Sequence, residues 1–252
     1  MTSSPISVSV ITVCYNGAKT LEACIQSVIM QDLPNLQHIV IDGASTDNTP
    51  EILKKYEHHI SKMVSEPDRG IYDAMNKGIK LATGDIICFL NADDQYANAH
   101  VLSTVVKHIH QYDLDALLGD VVFFNPKDPD RIIRRYRSDR FSPSKLAWGW
   151  MPSHPAIFLK KNIIDQVGYF KIDYRIAGDY EYVVRAFYKK NIKYRHLSEV
   201  MVRMQMGGAS SENWRSRWLL NKEVLRACRE NGVSTNIFKI LSKYPLKLLE
   251  LF

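Results

Sequence analysis

The chain has 252 residues, of which 46% are hydrophobic and 24% are charged. These values are typical of a globular protein with a large core, and they exclude collagen-like, low-complexity and small disulfide-rich proteins. The net charge of +6 is unevenly distributed: residues 185–252 hold 14 basic and 5 acidic side chains, whereas residues 1–184 hold 19 and 22. The basic C-terminal part suggests a polyanionic partner, namely a membrane, a nucleic acid or a charged substrate.

Targeting signals are not found in the sequence. The four cysteines lack the spacing of zinc or redox motifs. Cys14, Cys24 and Cys88 lie in apolar runs, so we interpret these three as core residues, and we infer a reducing compartment. The N-terminal segment MTSSPISVSV has no basic region or long apolar stretch, and no run of about 18 apolar residues follows. These features predict a cytoplasmic protein without a signal peptide or transmembrane helix.

Strands and helices alternate in the predicted first half. Short β-branched and apolar runs predict strands at residues 7–14, 36–41, 63–65 and 85–90. Apolar residues at helical spacing predict helices at residues 21–29, 74–82 and 101–109. The sequence Thr49-Pro50-Glu51, a cap followed by a first-turn proline and an acid, predicts the start of a further helix. This alternation is typical of parallel strands joined by helical crossovers, with a sheet buried on both faces.

The second half has a less regular pattern. It predicts strands at residues 116–124 and 154–159 and helices at residues 180–188 and 214–229. The segment NPKDPD at residues 125–130 is typical of a loop. Residues 131–140 contain five arginines, and we expect a basic, mobile segment there.

Clusters of polar residues follow the four predicted strands of the first half, at residues 15–17, 42–47, 66–70 and 91–94. Ligands of open parallel sheets bind outside the carboxyl ends of the strands, so the four clusters are expected to converge on one crevice. The phosphate-binding motifs GxGxxG and GxxxxGKS/T are absent from the sequence. We therefore predict a nucleotide diphosphate site built from carboxylates and a divalent metal ion.

Each carboxylate of these clusters can be interpreted either as a ligand-binding group or as a local structural residue. Asp93 and Asp94 supply oxygens that Mg²⁺ prefers, alongside substrate phosphates, and Asp42 and Asp68 are placed to accept hydrogen bonds from a base or ribose. Taken singly, Asp42 is also typical of a turn, Asp93 and Asp94 of a helix cap, and Asp68 of a surface turn with an ion pair. Their joint position at successive strand ends favours a binding site.

Four segments from the first hundred residues carry a family resemblance. In chain order they are ISVSVITVCYNGAKTLEACIQSVIMQ, VIDGASTDNTPEIL, SEPDRGIYDAMNKGIKLATGD and ICFLNADD. Together they resemble family 2 glycosyltransferases with the GT-A fold, most closely bacterial enzymes of surface-polysaccharide assembly, and the likeness continues more loosely to about residue 211. The resemblance implies an α/β fold with a Rossmann-like, mostly parallel central sheet flanked by helices, a less regular acceptor-side half and C-terminal helices.

The resemblance also implies a reaction. It is an inverting transfer of a sugar from a nucleotide diphosphate sugar, expected to be a UDP-sugar, to a glycan or lipid-linked acceptor, with Mg²⁺ or Mn²⁺ as cofactor. The positions that match the family's donor site are Thr12, Tyr15, Asn16, Asp42, Asp68, Arg69, Asn91 and Ala92. The family's DxD metal motif reads Asn91-Ala92-Asp93 here, so Asp93 is the expected metal contact and Asp94 a second candidate.

Acceptor-side residues are expected in the second half. The family's general base lies in an acidic motif that opens a helix, and residues 177–181 (AGDYE) match it, with Asp179 as the base. Glu181 is the rival acid on the acceptor side, and an N-cap is the structural alternative for Asp179. His154 is expected to contact the acceptor or a phosphate, or to be structural. Residues 206–210 resemble a loop that closes over the donor diphosphate, or form a plain turn.

The domain organisation is predicted as a catalytic domain at residues 1–211, with a nucleotide-binding half (1–112) and an acceptor-side half (113–211). Residues 212–252 are predicted as a basic amphipathic helical tail, in which Lys239, Lys243 and Lys247 recur every four residues beside apolar side chains. This pattern suits a helix on an anionic membrane surface at the inner face of the cytoplasmic membrane. A helix packed on the sheet or a dimer contact are the alternatives. Nucleic acid is not expected as a partner, because no binding motif is present.

Two other functions remain open from the sequence. A nucleotidyltransferase acting on sugar phosphates would share the nucleotide site and the acidic metal ligands, but it needs a phosphate-gripping loop after the first strand. A catalytically inactive sugar-nucleotide-binding scaffold is suggested by the amide of Asn91 in place of the family's first acid.

Overall fold

A computed structural model of the protein describes residues 6–206 and 214–242. The first half alternates strands and helices as predicted, with one further short strand. Its elements are β1 (Val8–Cys14), α1 (Leu21–Ile29), β2 (Leu36–Asp42), α2 (Thr49–Lys55), β3 (Lys62–Ser65), α3 (Ile71–Leu81), β4 (Ile86–Phe89), β5 (Asp94–Tyr96) and α4 (Val101–Tyr112).

The second half mixes strands, short helices and a long C-terminal helix. Its elements are β6 (Ala116–Asn125), β7 (Asp128–Tyr136), β8 (Ile157–Lys160), α5 (Lys161–Val167), α6 (Gly178–Val183), β9 (Tyr194–Gln205), α7 (Trp214–Glu230) and α8 (Ile237–Leu241). Shorter 3₁₀ turns occupy Glu57–His59, Pro143–Trp148 and His154–Ala156, and a π-helical turn at Val184–Lys189 continues α6.

One sheet contains all these strands, in the order β3-β2-β1-β4-β8-β6-β9-β5, with β7 paired to β6. Strands β1 to β4 are mutually parallel, so their carboxyl ends meet at one edge. The antiparallel strand β8 joins β4 to β6 and thus connects the two halves of the chain. The predicted α/β class with flanking helices is confirmed by this arrangement.

The sheet is buried on both faces, and β1 shows why the sequence requires this. Val8 and Val10 pack into a core with α1 and α4, whereas Ile11 and Val13 pack into a second core with α3. Since successive side chains of a strand point to opposite faces, an unbroken apolar run is stable only between two layers of helices.

Helix α3 approaches the sheet unusually closely at Gly78. A Cβ atom at this position would lie 2.3 Å from Cγ2 of Ile11, so a larger residue would push the helix away from β1. The loop before α3 carries one of the polar clusters, and the close packing therefore holds that cluster against the strand ends.

Two predictions for the second half are wrong. Residues 131–136 are not a mobile segment: they form most of β7, because they pair with β6 in a hairpin. The strand predicted at residues 154–159 begins only at Ile157, since His154–Ala156 form a 3₁₀ turn that starts with the sequence His-Pro. No helix within residues 6–206 and 214–242 is both long and apolar enough to cross a membrane.

Candidate active site

The loops after β1 and β2 are joined by hydrogen bonds at the carboxyl edge of the sheet. Asn16 has a positive φ of 51°; its backbone N–H donates to the Ser45 hydroxyl at 2.8 Å, and its side-chain oxygen accepts from the Thr46 N–H at 2.9 Å. The Gly17 N–H donates to the Thr49 hydroxyl at 2.9 Å. The first two polar clusters are therefore one rigid unit.

Asp42, at the end of β2, organises this unit from within. Its side chain is fully buried and accepts hydrogen bonds from the Ser45 N–H and from the hydroxyls of Ser45 and Ser65. Its backbone oxygen accepts from the Glu66 N–H at 3.0 Å, which fixes the start of the loop after β3. Asp42 thus shapes the crevice while its carboxylate is covered by two serines.

Tyr15, Gly43 and Asp68 lie against one another at the mouth of the crevice. A Cβ atom on Gly43 would be 2.6 Å from Oδ2 of Asp68 and 3.3 Å from Cδ2 of Tyr15. Asp68 accepts a hydrogen bond from the Gly70 N–H at 2.8 Å, and the Tyr15 side chain is 65% exposed. The lack of a side chain at Gly43 leaves an aromatic face and a carboxylate open side by side.

The loop after β4 adjoins the loop after β1. A Cβ atom on Gly17 would be 3.5 Å from the Ala92 Cβ, and the Cys24 thiol donates to the Asn91 carbonyl at 3.3 Å. All four polar clusters expected at the strand ends are therefore brought together, although the binding roles of their residues remain predictions.

The Asn91-Ala92-Asp93-Asp94 segment concentrates acidic groups in a buried place. The Asn91 amide N–H donates to Asp94 at 3.1 Å, and this orientation leaves Asn91 Oδ1 buried with no hydrogen-bond partner among the described residues. Burial raises the pKa of Asp93, and burial together with the charge of Asp93 raises the pKa of Asp94 well above its usual range. Both carboxylates are therefore costly to ionise without a nearby cation.

These groups fit a divalent metal ion. The unpartnered Asn91 Oδ1 and the Asp93 carboxylate are hard oxygen ligands, and Asp94 holds the amide of Asn91 in place. Within the described part of the chain, no cluster of three or more His, Cys, Asp or Glu side chains is suited to hold a metal by itself. A metal here would therefore need substrate phosphates as its remaining ligands, as Mg²⁺ commonly does.

Asp179 lies at the start of α6, next to helix α3. The Tyr72 hydroxyl is 3.5 Å from Asp179 Oδ1 and also donates to the Ile176 carbonyl at 2.6 Å. Since Tyr72 lies two residues beyond Gly70, it links Asp179 to the third polar cluster. Burial raises the pKa of Asp179 to about 6, a value suited to a general base near neutral pH.

Glu223, on α7, supports the segment before Asp179, and sequence reasoning missed it. Its buried carboxylate accepts three backbone hydrogen bonds, from Arg175, Ile176 and Ala177, each at 2.8 Å. The negative charge of Glu223 also contributes to the raised pKa of Asp179. The three backbone donors lie 46 to 48 residues before Glu223 in the sequence, so no local pattern indicates these hydrogen bonds.

His154 packs against the end of β4. Its ring stacks on Phe89 with the centroids 5.2 Å apart and meets Phe170 edge-on at 6.0 Å. Burial lowers the pKa of His154 to about 4, so the imidazole is neutral at physiological pH. The ring is therefore uncharged and packed among aromatic side chains, and its contact with an acceptor or phosphate stays a prediction.

Two predicted site residues face the protein interior instead. The Thr12 hydroxyl is fully buried and lies 3.0 Å from His38 Nε2, between neighbouring strands. Glu181 has 0% exposure and its carboxylate pairs with Arg185 and Lys171, so its expected role on the acceptor side stays a prediction. A helix places side chains two residues apart on different faces, which explains why Asp179 and Glu181 diverge.

The remaining predictions concern Arg69 and residues 206–210. The exposed Arg69 side chain is 3.4 Å from Asp73, so it is held at the mouth of the crevice. Residues 207–210 lie outside the described residues.

The comparison with protein families decides the identity of this fold. The model of "Glycosyl transferase family 2" matches residues 9–174, which cover the crevice and most of the sheet. The chain belongs to glycosyl transferase family 2. It is therefore a glycosyltransferase, and the nucleotidyltransferase alternative loses its basis.

Individual proteins that are similar to this chain are consistent with its membership of this family. The PGL/p-HBAD biosynthesis glycosyltransferase of Mycobacterium bovis is 28% identical over 223 residues, 86% of this chain and 82% of that protein. Residues 1–349 of Staphylococcus aureus TarS, in complex with UDP-GlcNAc, superimpose with a TM-score of 0.73 at 20% identity, covering 92% of this chain and 68% of that one.

A third similar protein is the mannosyltransferase PcManGT from Pyrobaculum calidifontis, in complex with GDP-Man and Mn²⁺. It superimposes with a TM-score of 0.68 at 21% identity and covers 95% of this chain and 69% of that one. The longer TarS crystal structure is matched over only 40% of its chain. At such identities the structural likeness shows the fold, and it confirms the predicted GT-A architecture.

Proposed function

We propose that this family 2 glycosyltransferase is an inverting enzyme that moves a sugar from a nucleotide diphosphate donor to a hydroxyl of a glycan or lipid-linked acceptor in cell-surface polysaccharide synthesis. The observation that carries this proposal is the carboxyl group of Asp179, which has a pKa of about 6 and is linked through Tyr72 to the crevice of the four polar clusters. A UDP-sugar is the proposed donor, and the UDP-GlcNAc complex of TarS supports it.

The donor's nucleoside is proposed to bind between the first three clusters. The exposed ring of Tyr15 offers a face for the base, and the neighbouring carboxylate of Asp68 offers an acceptor for a base or ribose N–H or O–H. Asp42 acts through Ser45 and Ser65, whose positions it fixes. This arrangement needs no glycine-rich phosphate loop.

The diphosphate is proposed to lie at Asn91 and Asp93. A bound Mg²⁺ or Mn²⁺ would neutralise the charge that develops on the departing diphosphate, and the Mn²⁺ complex of PcManGT supports this cofactor. On the protein side, Asp93 and the unpartnered Asn91 Oδ1 would hold the ion, while Asp94 keeps the amide oriented. The amide at Asn91 is therefore compatible with an active enzyme.

Asp179 is proposed to take the proton of the acceptor hydroxyl as its oxygen attacks the anomeric carbon. The new glycosidic bond forms while the bond to the diphosphate breaks, and the bonding electrons leave with the diphosphate. Because the attack comes from the face opposite the leaving group, the anomeric configuration inverts. His154, neutral and packed on Phe89, is proposed to line the acceptor side.

The test of this function is Asp179→Asn, assayed with a panel of UDP- and GDP-sugars. We expect the variant to bind the donor like the wild type and to lose transfer, because it cannot accept a proton. Asp165→Asn is the matched control, since Asp165 lies on α5 in an exposed pair with Lys161. Full transfer activity of Asp179→Asn would remove this residue as the base.

Peripheral attachment to the cytoplasmic membrane is proposed as well. Trp214 and Trp218 on α7 and Phe238 on α8 are exposed, and they alternate with Arg215 and other cations. Aromatic rings beside cations are typical of a surface that binds anionic lipid. Lys243 and Lys247 of the predicted tail lie outside the described residues.

Flotation with liposomes tests the membrane proposal. The protein should float with anionic liposomes at low salt and remain at the bottom with neutral ones. If it remains at the bottom with both, the attachment is refuted.

A further inference from the structure

A cavity of about 220 Å³ lies apart from the donor crevice, between the end of β7 and the 3₁₀ turn Pro143–Trp148. Its walls carry four cationic side chains and one carboxylate. These charged residues are Arg135, Arg137, Arg140, Lys145 and Asp139. The other lining residues are Ser138 and the largely apolar Tyr136, Phe141, Trp150 and Met151.

Only two of the four cations are neutralised. Arg135 forms hydrogen bonds of 3.0 and 2.7 Å with the buried Asp120, and Arg137 pairs with Asp139 at 2.9 Å. Across the described ranges of the chain, Arg140 and Lys145 have no acidic partner. The residues that line the cavity therefore carry an excess of two positive charges.

The wall of the cavity is built around Asp120. Besides Arg135, this carboxylate accepts hydrogen bonds from the Ser138 N–H at 3.0 Å and from His196 at 2.7 Å. Ser138 also lines the cavity, and its hydroxyl is buried without a hydrogen-bond partner in the described part of the protein. The cations are thus presented by a fixed turn, which lowers the ordering cost of binding an anion.

The cavity adjoins the proposed acceptor side. The Tyr180 hydroxyl donates to the carbonyl of Leu146, in the same 3₁₀ turn as Lys145, and Tyr180 directly follows Asp179. On the other side, the Tyr136 hydroxyl donates to the Met151 carbonyl at 2.7 Å, three residues before His154. Both contacts tie the cavity to residues that we place around the acceptor.

We propose that this cavity binds a phosphate group of the acceptor. Guanidinium and ammonium groups are the side chains that hold phosphates, and two unneutralised cations match the charge of one phosphomonoester. The donor's own diphosphate is assigned to Asn91 and Asp93, so it does not account for this cavity. The proposal rests on the proposed function and adds the chemical class of the acceptor: a phosphorylated glycan or a lipid phosphate.

Direct binding measurements test the proposal without turnover. The full chain, with its donor site filled by a nucleoside diphosphate and Mg²⁺, is titrated with glycerol 3-phosphate and with octyl phosphate below its micellar concentration. Glycerol serves as the uncharged control. Tighter binding of octyl phosphate identifies a lipid phosphate, and tighter binding of glycerol 3-phosphate a phosphorylated glycan.

The variant is Arg140→Gln combined with Lys145→Gln, which removes the excess charge of the cavity. The control is Lys54→Gln combined with Lys107→Gln, two exposed lysines on α2 and α4 with the same change in net charge. We expect the cavity variant to bind phosphate esters at least about tenfold more weakly, roughly 1.4 kcal/mol, and the control to bind like the wild type.

Three outcomes would overturn the proposal: wild-type protein that binds neither ester, a cavity variant that binds as well as the wild type, or a control that loses as much affinity. Metal-dependent donor hydrolysis is measured in parallel and should be equal in all three proteins. If hydrolysis is absent from all of them while ester binding behaves as expected, the proposed function fails and the anion site stands.

Discussion

Asp179 lies at the start of α6 beside the Tyr72 hydroxyl, and burial there raises its pKa to about 6. Burial penalises its charged form, so the base form is lost as the pH falls through 6. We expect kcat/KM for transfer to fall about tenfold per pH unit below about 6. His154 does not contribute to this acidic limb of the pH profile, because burial lowers its pKa to about 4.

A stability measurement checks the same assignment independently. The pKa of Asp179 is higher in the folded protein than its ordinary value of 3.8, so ionisation above pH 6 opposes folding. Asp179→Asn should therefore raise the melting temperature at pH 7.5 more than at pH 4, since the Asn oxygen can still accept from the Tyr180 N–H. An equal change at both pH values would contradict the raised pKa.

Gly43 is expected to set the affinity for the nucleotide. Gly43→Ala would place a Cβ 2.6 Å from the Asp68 carboxylate, which must then move away from its position beside Tyr15. We expect donor KM to rise about tenfold with little change in the metal requirement. Gly17→Ala is the matched control, because its Cβ would make only ordinary contacts, the shortest at 3.5 Å. Equal effects of both substitutions would argue against a nucleoside site at Gly43.

The acidic pair at the end of β4 predicts an order of metal affinities. Asp93→Asn should abolish metal-dependent donor hydrolysis, because it removes the proposed ligand. Asp94→Asn should weaken metal affinity by about 10- to 100-fold, since Asp94 only orients the Asn91 amide. Titration of Mn²⁺ in the presence of a nucleoside diphosphate measures both affinities. If Asp94→Asn loses more metal affinity than Asp93→Asn, the proposed roles of Asp93 as metal ligand and Asp94 as orienting residue would have to be exchanged.

At the scale of elements, helix α7 is expected to position the base on α6. Glu223→Gln replaces one of the two oxygens that accept from Arg175, Ile176 and Ala177, and it also removes a negative charge near Asp179. We expect kcat to fall with donor KM unchanged and the acidic limb of the pH profile to move to lower pH. A purely structural role would lower stability and leave that limb where it is.

The alternating elements of the first half were predictable because each follows from local chemistry. β1 and β2 are apolar runs and α3 has a clear apolar face, so periodicity alone located them. In contrast, β7 and β9 were missed, since their many charged residues form strands through long-range pairing, β7 with β6 and β9 with both β6 and β5. Strand β5 has three residues, too few for a pattern.

The candidate site likewise contains residues that the sequence predicted and residues that it missed. Residues at strand ends were found by position, because parallel strands bring their carboxyl ends to one edge. Asp179 was predicted from the family resemblance and not from spacing. Glu223 and Tyr72 were missed, since their contacts with the α6 region span 46 to 107 residues. The full burial of Glu181 was not predicted, because the sequence does not show which face of a six-residue helix meets the core.

At the scale of the whole molecule, the strand pairing in the sheet argues against two halves that fold independently. The division predicted at residue 112 falls between α4 and β6, yet β8 of the second half pairs with both β4 and β6. A fragment ending at residue 112 would therefore expose the edge of β4 and the apolar faces that β8 covers. We propose that the two halves fold as one cooperative unit.

The distribution of tryptophan provides a test of this cooperativity. All four tryptophans, at positions 148, 150, 214 and 218, lie in the second half, whereas the nucleotide crevice is built by the first half. A nucleoside diphosphate with Mg²⁺ at 100 times its Kd should stabilise the fold by about 2.7 kcal/mol and raise the melting temperature by roughly 5–10 °C. In a cooperative unit, tryptophan fluorescence and far-ultraviolet circular dichroism shift together. If the halves unfold separately, the ligand shifts part of the circular dichroism transition and leaves the fluorescence midpoint unchanged.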